Sequence, residues 1–168
     1  RIYMGCVLPA GLGQAPARQA ALGAGLPQSV EATTLNKMCG SGMQAAIMAH
    51  EALSSGAVDV IIAGGMESMT NAPFIMQKHR AGARIGRGVI YDSVMSDGRE
   101  DAYTKGKAMG AFAGDAGEMY RITREQQDAY ALESLSGASA AISSGACEAE
   151  IVAVTVKGRG GETVVSVD

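Results

Sequence analysis

The sequence predicts an α/β fold built from layers of sheet and helix. Over the first 65 residues, strand-like and helix-like segments alternate in the order strand, helix, strand, helix, strand, which is the pattern of such a layer. The composition agrees, because 47% of the residues are hydrophobic, 23 are glycine and only 4% are aromatic. Small residues in this proportion favour closely packed elements joined by glycine-rich turns. No internal repeat is present.

The first three elements follow from short local signals. Residues 2–8 are a short apolar strand, and a glycine-rich loop follows. Pro16 suits the first position of a helix, which we predict from residue 16 to about residue 24. Residues 29–35 alternate between Val30, Ala32 and Thr34 on one side and polar residues on the other, which predicts a second strand.

The second helix and third strand come next. Apolar residues at helical spacing predict a helix over residues 43–53, with Gly56 as its C′ residue. Residues 58–63 form a β-branched run that ends at Gly64 and Gly65. A run of this kind is typical of a buried central strand.

The second half is less regular. Residues 71–101 show no sustained period, and a segment of this length is expected to be functional or part of an interface. Residues 101–119 have weak helical character, interrupted by Gly106, Gly110 and Gly114. A stronger helix starts after Thr123, whose capping-box partner is Gln126, and runs to Gly145. Residues 151–157 and 163–167 are predicted to form a hairpin.

Composition excludes several classes of partner. The formal net charge is −3 and no extended basic patch occurs, so a nucleic-acid partner is not expected. No apolar run has the length of a membrane span, and no signal peptide is recognised. Three cysteines without paired spacing predict a reducing compartment and no metal site. The chain starts at Arg1 and closes in a strand-like segment, so we expect a piece of a longer polypeptide.

Cys39 is the main candidate for chemistry. It lies in the turn Cys39-Gly40-Ser41-Gly42, directly before the second helix. The unpaired amides and the dipole at a helix N-terminus favour a thiolate, and the glycines leave amides free to bind an oxyanion. The alternative is an inert packing cysteine, which is the common state of a free cysteine.

Several segments resemble the thiolase family of acetyl-CoA acetyltransferases and 3-ketoacyl-CoA thiolases. The two most specific are Asn-Lys-Met-Cys-Gly-Ser-Gly-Met-Gln-Ala at 36–45 and Ile-Ile-Ala-Gly-Gly-Met-Glu-Ser-Met at 61–69. Further similarity occurs at 16–21, 123–130 and 154–158, in the expected order. The resemblance therefore covers essentially the whole chain.

The resemblance implies a thiolase-like layered fold in two parts. Residues 1–72 would be an incomplete N-terminal half-domain, and residues 73–168 most of the loop domain inserted in it. Cys39 would be the acylated nucleophile, and the backbone at Cys39 and Gly40 would support the oxyanion. Met109 and Gly110 match a pair that lines the acyl pocket in the family. No metal is implied.

The implied reaction is acyl transfer that forms or cleaves a 3-ketoacyl-CoA through an acyl-cysteine. Its substrates would be acetyl-CoA and acyl-CoA or 3-ketoacyl-CoA, with no cofactor beyond these coenzyme A thioesters. A homodimer or homotetramer is expected, in the cytoplasm or an organelle matrix. The alternatives are a decarboxylating ketosynthase and a non-catalytic lipid-carrier or assembly module. Gly-His-Pro and Cys-Gly-Gly-Gly motifs, which supply the family's base and second cysteine, do not occur in this sequence, so we expect the isolated chain to be inactive.

The remaining candidates have simpler interpretations. Glu67 suits a structural hydrogen-bonding role better than that of a general base. Cys6 and Cys147 are expected to be packing or surface thiols. The cluster Arg80, Arg84 and Arg87 is expected to face solvent or another subunit, with a coenzyme A phosphate as the alternative.

Overall fold

The computed structural model describes residues 1–167 and divides into two compact units. The first unit spans Arg1–Ala111 and the second begins at Phe112. We predicted a domain boundary after residue 72, where the regular alternation of strands and helices ends. The two compact units divide later, after Ala111. Short elements after Pro73 remain with the first unit because they contact its loops: Gly98, for example, lies against Leu8. The division into a half-domain and a loop domain stays a prediction.

A three-stranded parallel sheet forms the centre of the first unit. Its strands are β1 (Ile2–Gly5), β2 (Ala32–Leu35) and β3 (Ile62–Gly65), in the order β2-β1-β3. The crossovers that parallel strands require contain two helices, α1 (Pro16–Gly23) and α2 (Ser41–Ser54). The predicted α/β fold is confirmed.

Local signals set the ends of both helices. Pro16 occupies the first turn of α1, where a missing amide proton costs nothing. The chain leaves α2 through Gly56, which has a φ of 69°. Gly56 N donates to Leu53 O at 3.0 Å and Ala57 N donates to Ala52 O at 3.1 Å, which is the Schellman arrangement.

Small residues bring α2 close to the sheet. Tyr3 of β1 is buried together with Ala45 and Ala49 of α2, and partly buried Leu35, Met48 and Ile61 pack around them. Since alanine has only a methyl side chain, the helix axis lies near the strands at this point. This contact positions the N-terminus of α2 over the carboxyl ends of β1 and β3.

One strand does not have its predicted position. We expected the run at 58–63 to be a buried central strand, but β3 starts at Ile62 and pairs only with β1 among the described residues. Ile62 is 48% exposed. The centre belongs to β1, whose Ile2 and Tyr3 are buried. A β-branched run suits any pleated surface, so composition alone does not separate an edge from a centre.

The excursion after β3 contains short elements, as its sequence predicts. β4 (Phe74–Ile75) pairs antiparallel with β5 (Tyr91–Asp92), and a π-helical turn follows at Val94–Arg99. Helix α3 (Met109–Met119) then begins. Gly110 and Gly114 lie inside α3 and do not break it, whereas Gly106 turns the chain before it with a φ of 86°.

The second unit contains a long helix and a hairpin. Helix α4 (Arg124–Ser144) has the predicted capping box, because Gln126 N donates to Thr123 Oγ1 at 3.3 Å and Thr123 N donates to Gln126 Oε1 at 2.9 Å. Strands β6 (Val154–Gly158) and β7 (Gly161–Val165) pair around a two-residue turn. The predicted helix and hairpin are confirmed. None of the helices within residues 1–167 is both long enough and apolar enough to cross a membrane.

Candidate active site at the start of helix α2

Cys39 lies in the turn that connects β2 to α2. Met38, just before it, has the left-handed φ of 53°, which is uncommon for a residue with a side chain. Gly40, just after it, is the N-cap of α2. The thiol is exposed. A sharp strand-to-helix turn of this kind presents its side chain to solvent while its backbone stays part of the scaffold.

Two polar side chains hold this turn in place. Asn36 Oδ1 accepts from Met38 N at 2.9 Å, and Asn36 Nδ2 donates to Val7 O at 3.3 Å. Ser41 Oγ accepts from Lys37 N at 2.9 Å and donates to Met38 O at 2.6 Å. The Ser41 bonds are partly buried, since Ser41 is only 5% exposed, whereas the Asn36 bonds are exposed. Together they stabilise the strained conformation of Met38 and the position of Cys39.

Glycines allow the start of α2 to approach the sheet closely. A Cβ atom on Gly5 would lie 2.7 Å from Ser41 Cβ and 3.0 Å from Gly42 N. A Cβ atom on Gly65 would lie 3.4 Å from Gly5 O. No side chain fits at Gly5 without displacing the helix. The backbones of β1 and α2 are therefore in close contact near Cys39.

The first turn of α2 carries free amide groups. Ser41 N donates to Met38 O at 3.0 Å and Gln44 N donates to Gly40 O at 2.9 Å. Gly42 N and Met43 N donate to no acceptor within residues 1–167. Such amides, with the helix dipole, stabilise negative charge at this end of α2. A thiolate or a developing oxyanion beside Cys39 would be favoured there.

An open cleft of about 400 Å³ surrounds the thiol. It is lined by residues at or just after the ends of β1 and β3 and around the start of α2: Gly5, Val7, Met38, Cys39, Ser41, Gly42, Gly65, Met66 and Glu67. Cys39 therefore lies at the carboxyl ends of parallel strands, where open α/β sheets commonly bind ligands.

Glu67 closes one side of this cleft through hydrogen bonds to backbone. Its Oε2 accepts from Val7 N at 2.7 Å and its Oε1 accepts from Leu8 N at 2.9 Å. Cys6 Sγ lies 3.8 Å from Glu67 Oε1. Burial raises the pKa of the Cys6 thiol, and the neighbouring Glu67 carboxylate raises it further. Glu67 is thus bound as a structural acceptor, and Cys6 is held as a neutral thiol.

The predicted site residues do not all meet. Cys39 and Gly40 lie at the start of α2, where Gly40 N donates to Lys37 O at 3.2 Å, and their support of an oxyanion stays a prediction. Met109 and Gly110 open α3 and are not among the residues that line the Cys39 cleft, so their role in an acyl pocket stays a prediction. His50 is exposed within α2 and His79 lies in the excursion. No group of three or more metal-binding side chains was found in the described part of the chain.

Sequence reasoning predicted a structural hydrogen-bonding role for Glu67 but not its partners, and it missed the roles of Asn36 and Ser41. The Asn36 and Ser41 contacts have a local signal, since polar residues that flank a turn often bond to its backbone. No local signal identifies the partners of Glu67, because Val7 and Leu8 lie about sixty residues earlier in the chain.

Comparison with known proteins gives a consistent result. The model of the family described as the thiolase N-terminal domain matches residues 1–168. An acetyl-CoA acetyltransferase of Saccharomyces cerevisiae is 48% identical over 161 residues, which is 96% of this chain and 40% of that protein. Acetyl-CoA acetyltransferase 2 of Arabidopsis thaliana is 47% identical over 167 residues, 99% of this chain and 41% of that protein.

A solved structure agrees with these relatives. The Acat5 thiolase of Ascaris suum, crystallised in complex with coenzyme A, superimposes with a TM-score of 0.87 at 37% identity. The match covers 99% of this chain and 41% of that one. The chain thus spans about 40% of the length of the relatives that it matches.

Proposed function

The chain belongs to the thiolase family and matches the N-terminal domain of that family. We propose on this basis that the chain carries the nucleophile of an acyl-CoA acyltransferase and that Cys39 receives the acyl group. One observation carries the proposal: Cys39 is exposed in a cleft at the N-terminus of α2, next to two amides with no acceptor in residues 1–167. The family match favours this chemistry over the ketosynthase and the non-catalytic carrier.

In the first step the Cys39 thiolate attacks the carbonyl carbon of an acyl-CoA. A bond forms between Cys39 Sγ and that carbon, the bond from carbon to the coenzyme A sulfur breaks, and coenzyme A leaves as a thiolate that takes up a proton. Negative charge develops on the carbonyl oxygen in the transition state. The dipole of α2 and its unpaired amides at Gly42 and Met43 lie at the end of the helix where that charge forms.

In the second step a second acyl-CoA loses a proton from its α-carbon and the resulting carbanion attacks the acyl-cysteine. A carbon–carbon bond forms, the bond to Cys39 Sγ breaks, and the products are a 3-ketoacyl-CoA and the free thiolate. Cleavage is the reverse. In the first step one thioester replaces another, so the acyl-cysteine divides the reaction without a deep energy minimum.

The names of relatives support acetyl-CoA as a substrate. Both relatives described above are acetyl-CoA acetyltransferases, and the Ascaris suum structure contains coenzyme A. We therefore propose coenzyme A thioesters as substrates and no further cofactor. A homodimer or homotetramer in the cytoplasm or an organelle matrix is proposed on the same resemblance, and sedimentation of the protein at several concentrations tests the oligomer.

In the family, a Gly-His-Pro motif supplies the base that deprotonates the thiol, and a Cys-Gly-Gly-Gly motif supplies the second acid/base group. The Gly-His-Pro and Cys-Gly-Gly-Gly motifs of the family are absent from this sequence. We therefore expect the chain by itself to form an acyl-cysteine slowly, without steady turnover of acetoacetyl-CoA.

The test is acylation with isotope-labelled acetyl-CoA, followed by peptide mapping of Cys6, Cys39 and Cys147. The expected result is an acetyl group on Cys39 alone, lost in Cys39→Ala and kept in Cys147→Ala. Equal labelling of Cys147 would indicate ordinary surface reactivity and would contradict the proposal.

A chimeric protein provides the decisive form of this acylation test. The matching segment of the Saccharomyces cerevisiae relative is replaced by this chain, so that the rest of that protein surrounds the site. We expect the folded chimera to form the acyl-enzyme and its Cys39→Ala variant to lose it completely. A Cys39→Ala chimera that is still acylated would overturn the proposal.

A further inference from the structure

Glu67 lines the same cleft as Cys39, but the reaction proposed above makes no use of it. It follows the end of β3, and its carboxylate accepts two backbone amides of the segment after β1. Val7 N donates to Oε2 at 2.7 Å and Leu8 N donates to Oε1 at 2.9 Å. Since both oxygens are occupied, Glu67 influences the position of the thiol through the residues that it binds.

A continuous relay of hydrogen bonds joins Glu67 to the Cys39 turn. The N–H of the Val7–Leu8 peptide group donates to Glu67, and the C=O of the same peptide group accepts from Asn36 Nδ2 at 3.3 Å. Asn36 Oδ1 in turn accepts from Met38 N at 2.9 Å. These three hydrogen bonds, which we call the Glu67 relay, connect the carboxylate to the backbone of the residue directly before Cys39.

The three bonds of the Glu67 relay point the same way. In each of them an N–H donates toward the carboxylate end, through one peptide group and one side-chain amide. Aligned amide groups polarise one another, and hydrogen bonds to an ionised acceptor are the strong ones. The negative charge of Glu67 therefore strengthens the bond that Asn36 makes to the turn, although the two residues lie on different elements.

The turn needs such support because of the backbone at Met38. Its φ of 53° is left-handed, a conformation that costs free energy in a residue with a side chain and persists only where the surrounding structure fixes it. Asn36 is exposed, and its bond to a residue two positions along the chain is a weak restraint by itself. The Glu67 relay attaches this local bond to the ends of β1 and β3.

We propose that Glu67 is a positioning residue for Cys39 and acts through the Val7–Leu8 peptide and Asn36. This role rests on the proposed function, because the thiol must be aligned with the acyl carbonyl and with the amides at the start of α2. A displacement of about 1 Å can lower the rate of an enzyme roughly a hundredfold. A carboxylate suits the role, since its two oxygens accept both amides, whereas a glutamine offers only one acceptor oxygen.

The sign of the effect separates positioning from simple electrostatics. A carboxylate in the cleft disfavours a thiolate nearby, so removal of its charge alone would speed the reaction of Cys39. Loss of the Glu67 relay would slow the reaction, because the thiol would no longer be held at the amides of Gly42 and Met43. Glu67→Gln keeps the size of the side chain and removes its charge, so the direction of the change decides between the two effects.

The experiment is a double-mutant cycle on the full chain, in which mass spectrometry follows the alkylation of Cys39 by iodoacetamide. We expect Glu67→Gln and Asn36→Ala each to slow this reaction roughly fivefold, which corresponds to the loss of one hydrogen bond. The double variant should be slower than either single variant by less than about twofold, because both substitutions break the same relay. The amide of Met38 should also exchange faster in Glu67→Gln, although its own partner is Asn36.

Lys37 provides a matched control for Asn36. It is the next residue, it is also exposed, and its Nζ donates to Gln44 Oε1 at 2.8 Å, outside the Glu67 relay. Glu67→Gln should therefore slow Cys39 by the same factor in a Lys37→Ala background as in the wild type. Circular dichroism and urea unfolding check that each variant is folded before its rate is compared.

Three results of the cycle would overturn the inference. They are an unchanged or faster reaction of Cys39 in Glu67→Gln, an undiminished effect of Glu67→Gln in the Asn36→Ala background, and unchanged exchange of the Met38 amide. The second result would indicate a direct role of the carboxylate, such as that of a base.

Acylation by labelled acetyl-CoA separates this inference from the proposed function. In Glu67→Gln the limiting rate of a single turnover should fall roughly fivefold and the half-saturating concentration should stay within about twofold, since Glu67 holds the thiol and not the substrate. A change confined to the half-saturating concentration would contradict the positioning role. A wild-type chain that is not acylated at all would defeat the proposed function, while the alkylation rates and the Met38 exchange would still decide the role of Glu67.

Discussion

A Cβ atom placed on Gly5 would lie 2.7 Å from the Cβ atom of Ser41. Gly5 ends β1 and Ser41 begins α2, so the strand and the helix touch through backbone at the point next to Cys39. The exposed Cys39 turn thus lies next to a contact where the strand and helix backbones leave no room for a side chain on Gly5. Disturbance of this contact should move Cys39, because Gly5, Ser41 and Gly42 line the same cleft as the thiol.

Gly5→Ala is expected to destabilise the first unit by about 1–3 kcal/mol, because the added methyl group overpacks the contact with Ser41 and Gly42. Urea unfolding combined with amide hydrogen exchange in α2 measures the loss. Gly64→Ala is the matched control, since its methyl group would meet only the end of the Met4 side chain, at ordinary distances of 3.6 Å from Sδ and 3.8 Å from Cε. Equal losses in the two variants would contradict this account of the contact.

Ser41→Ala should weaken the Cys39 turn. The substitution removes the acceptor of Lys37 N and the donor to Met38 O in a site that is 5% exposed, and an unpaired buried group costs about 1–3 kcal/mol. Exchange of the Lys37 amide should accelerate accordingly. Ser55→Ala, which removes one exposed hydroxyl bond at the other end of α2, should leave that amide unchanged.

Glu67→Gln tests the carboxylate that binds the loop after β1. One amide oxygen replaces two charged acceptors, so Val7 N or Leu8 N loses its partner, and we expect a loss of about 1 kcal/mol, with about 2 kcal/mol for Glu67→Ala. Hydrogen exchange at Val7 and Leu8 provides the measurement. Glu51→Gln, an exposed carboxylate on α2, serves as the control and should not change it.

The three thiols should react with iodoacetamide in a defined order. Cys39 is exposed, Cys147 is partly buried and Cys6 is buried, so alkylation should proceed in that sequence. Mass spectrometry of the peptides at successive times follows each site. Cys6 should react only when the first unit opens, and denaturant should abolish its protection. Early labelling of Cys6 in the folded chain would contradict the burial described here.

Alkaline pH should destabilise the first unit partly through Cys6. Burial and Glu67 raise the pKa of this thiol in the folded state, so its contribution to stability is complete below the unfolded pKa of about 8.5 and is lost as pH rises through the higher folded value. Free energies of unfolding measured across this window should fall more steeply for the wild type than for Cys6→Ala. Parallel curves would show that Cys6 does not contribute.

Features that depend on neighbours along the chain could be predicted from the residue order. Pro16 starts α1, Gly56 ends α2, and Thr123 with Gln126 starts α4, because each of these signals acts within a few residues. The placement of Cys39 at a helix N-terminus has the same origin. Residue type and spacing suffice there, since the backbone groups to be satisfied lie within one helical turn.

Tertiary structure alone decided which distant segments meet. It made β1 the centre of the described sheet and left β3 at its edge, contrary to the prediction from the β-branched run. It brought Glu67 to the amides of Val7 and Leu8 and pressed Gly5 against Ser41. Strand order and these contacts depend on the path of the chain between the segments, and the spacing of residues within a segment carries no information about that path.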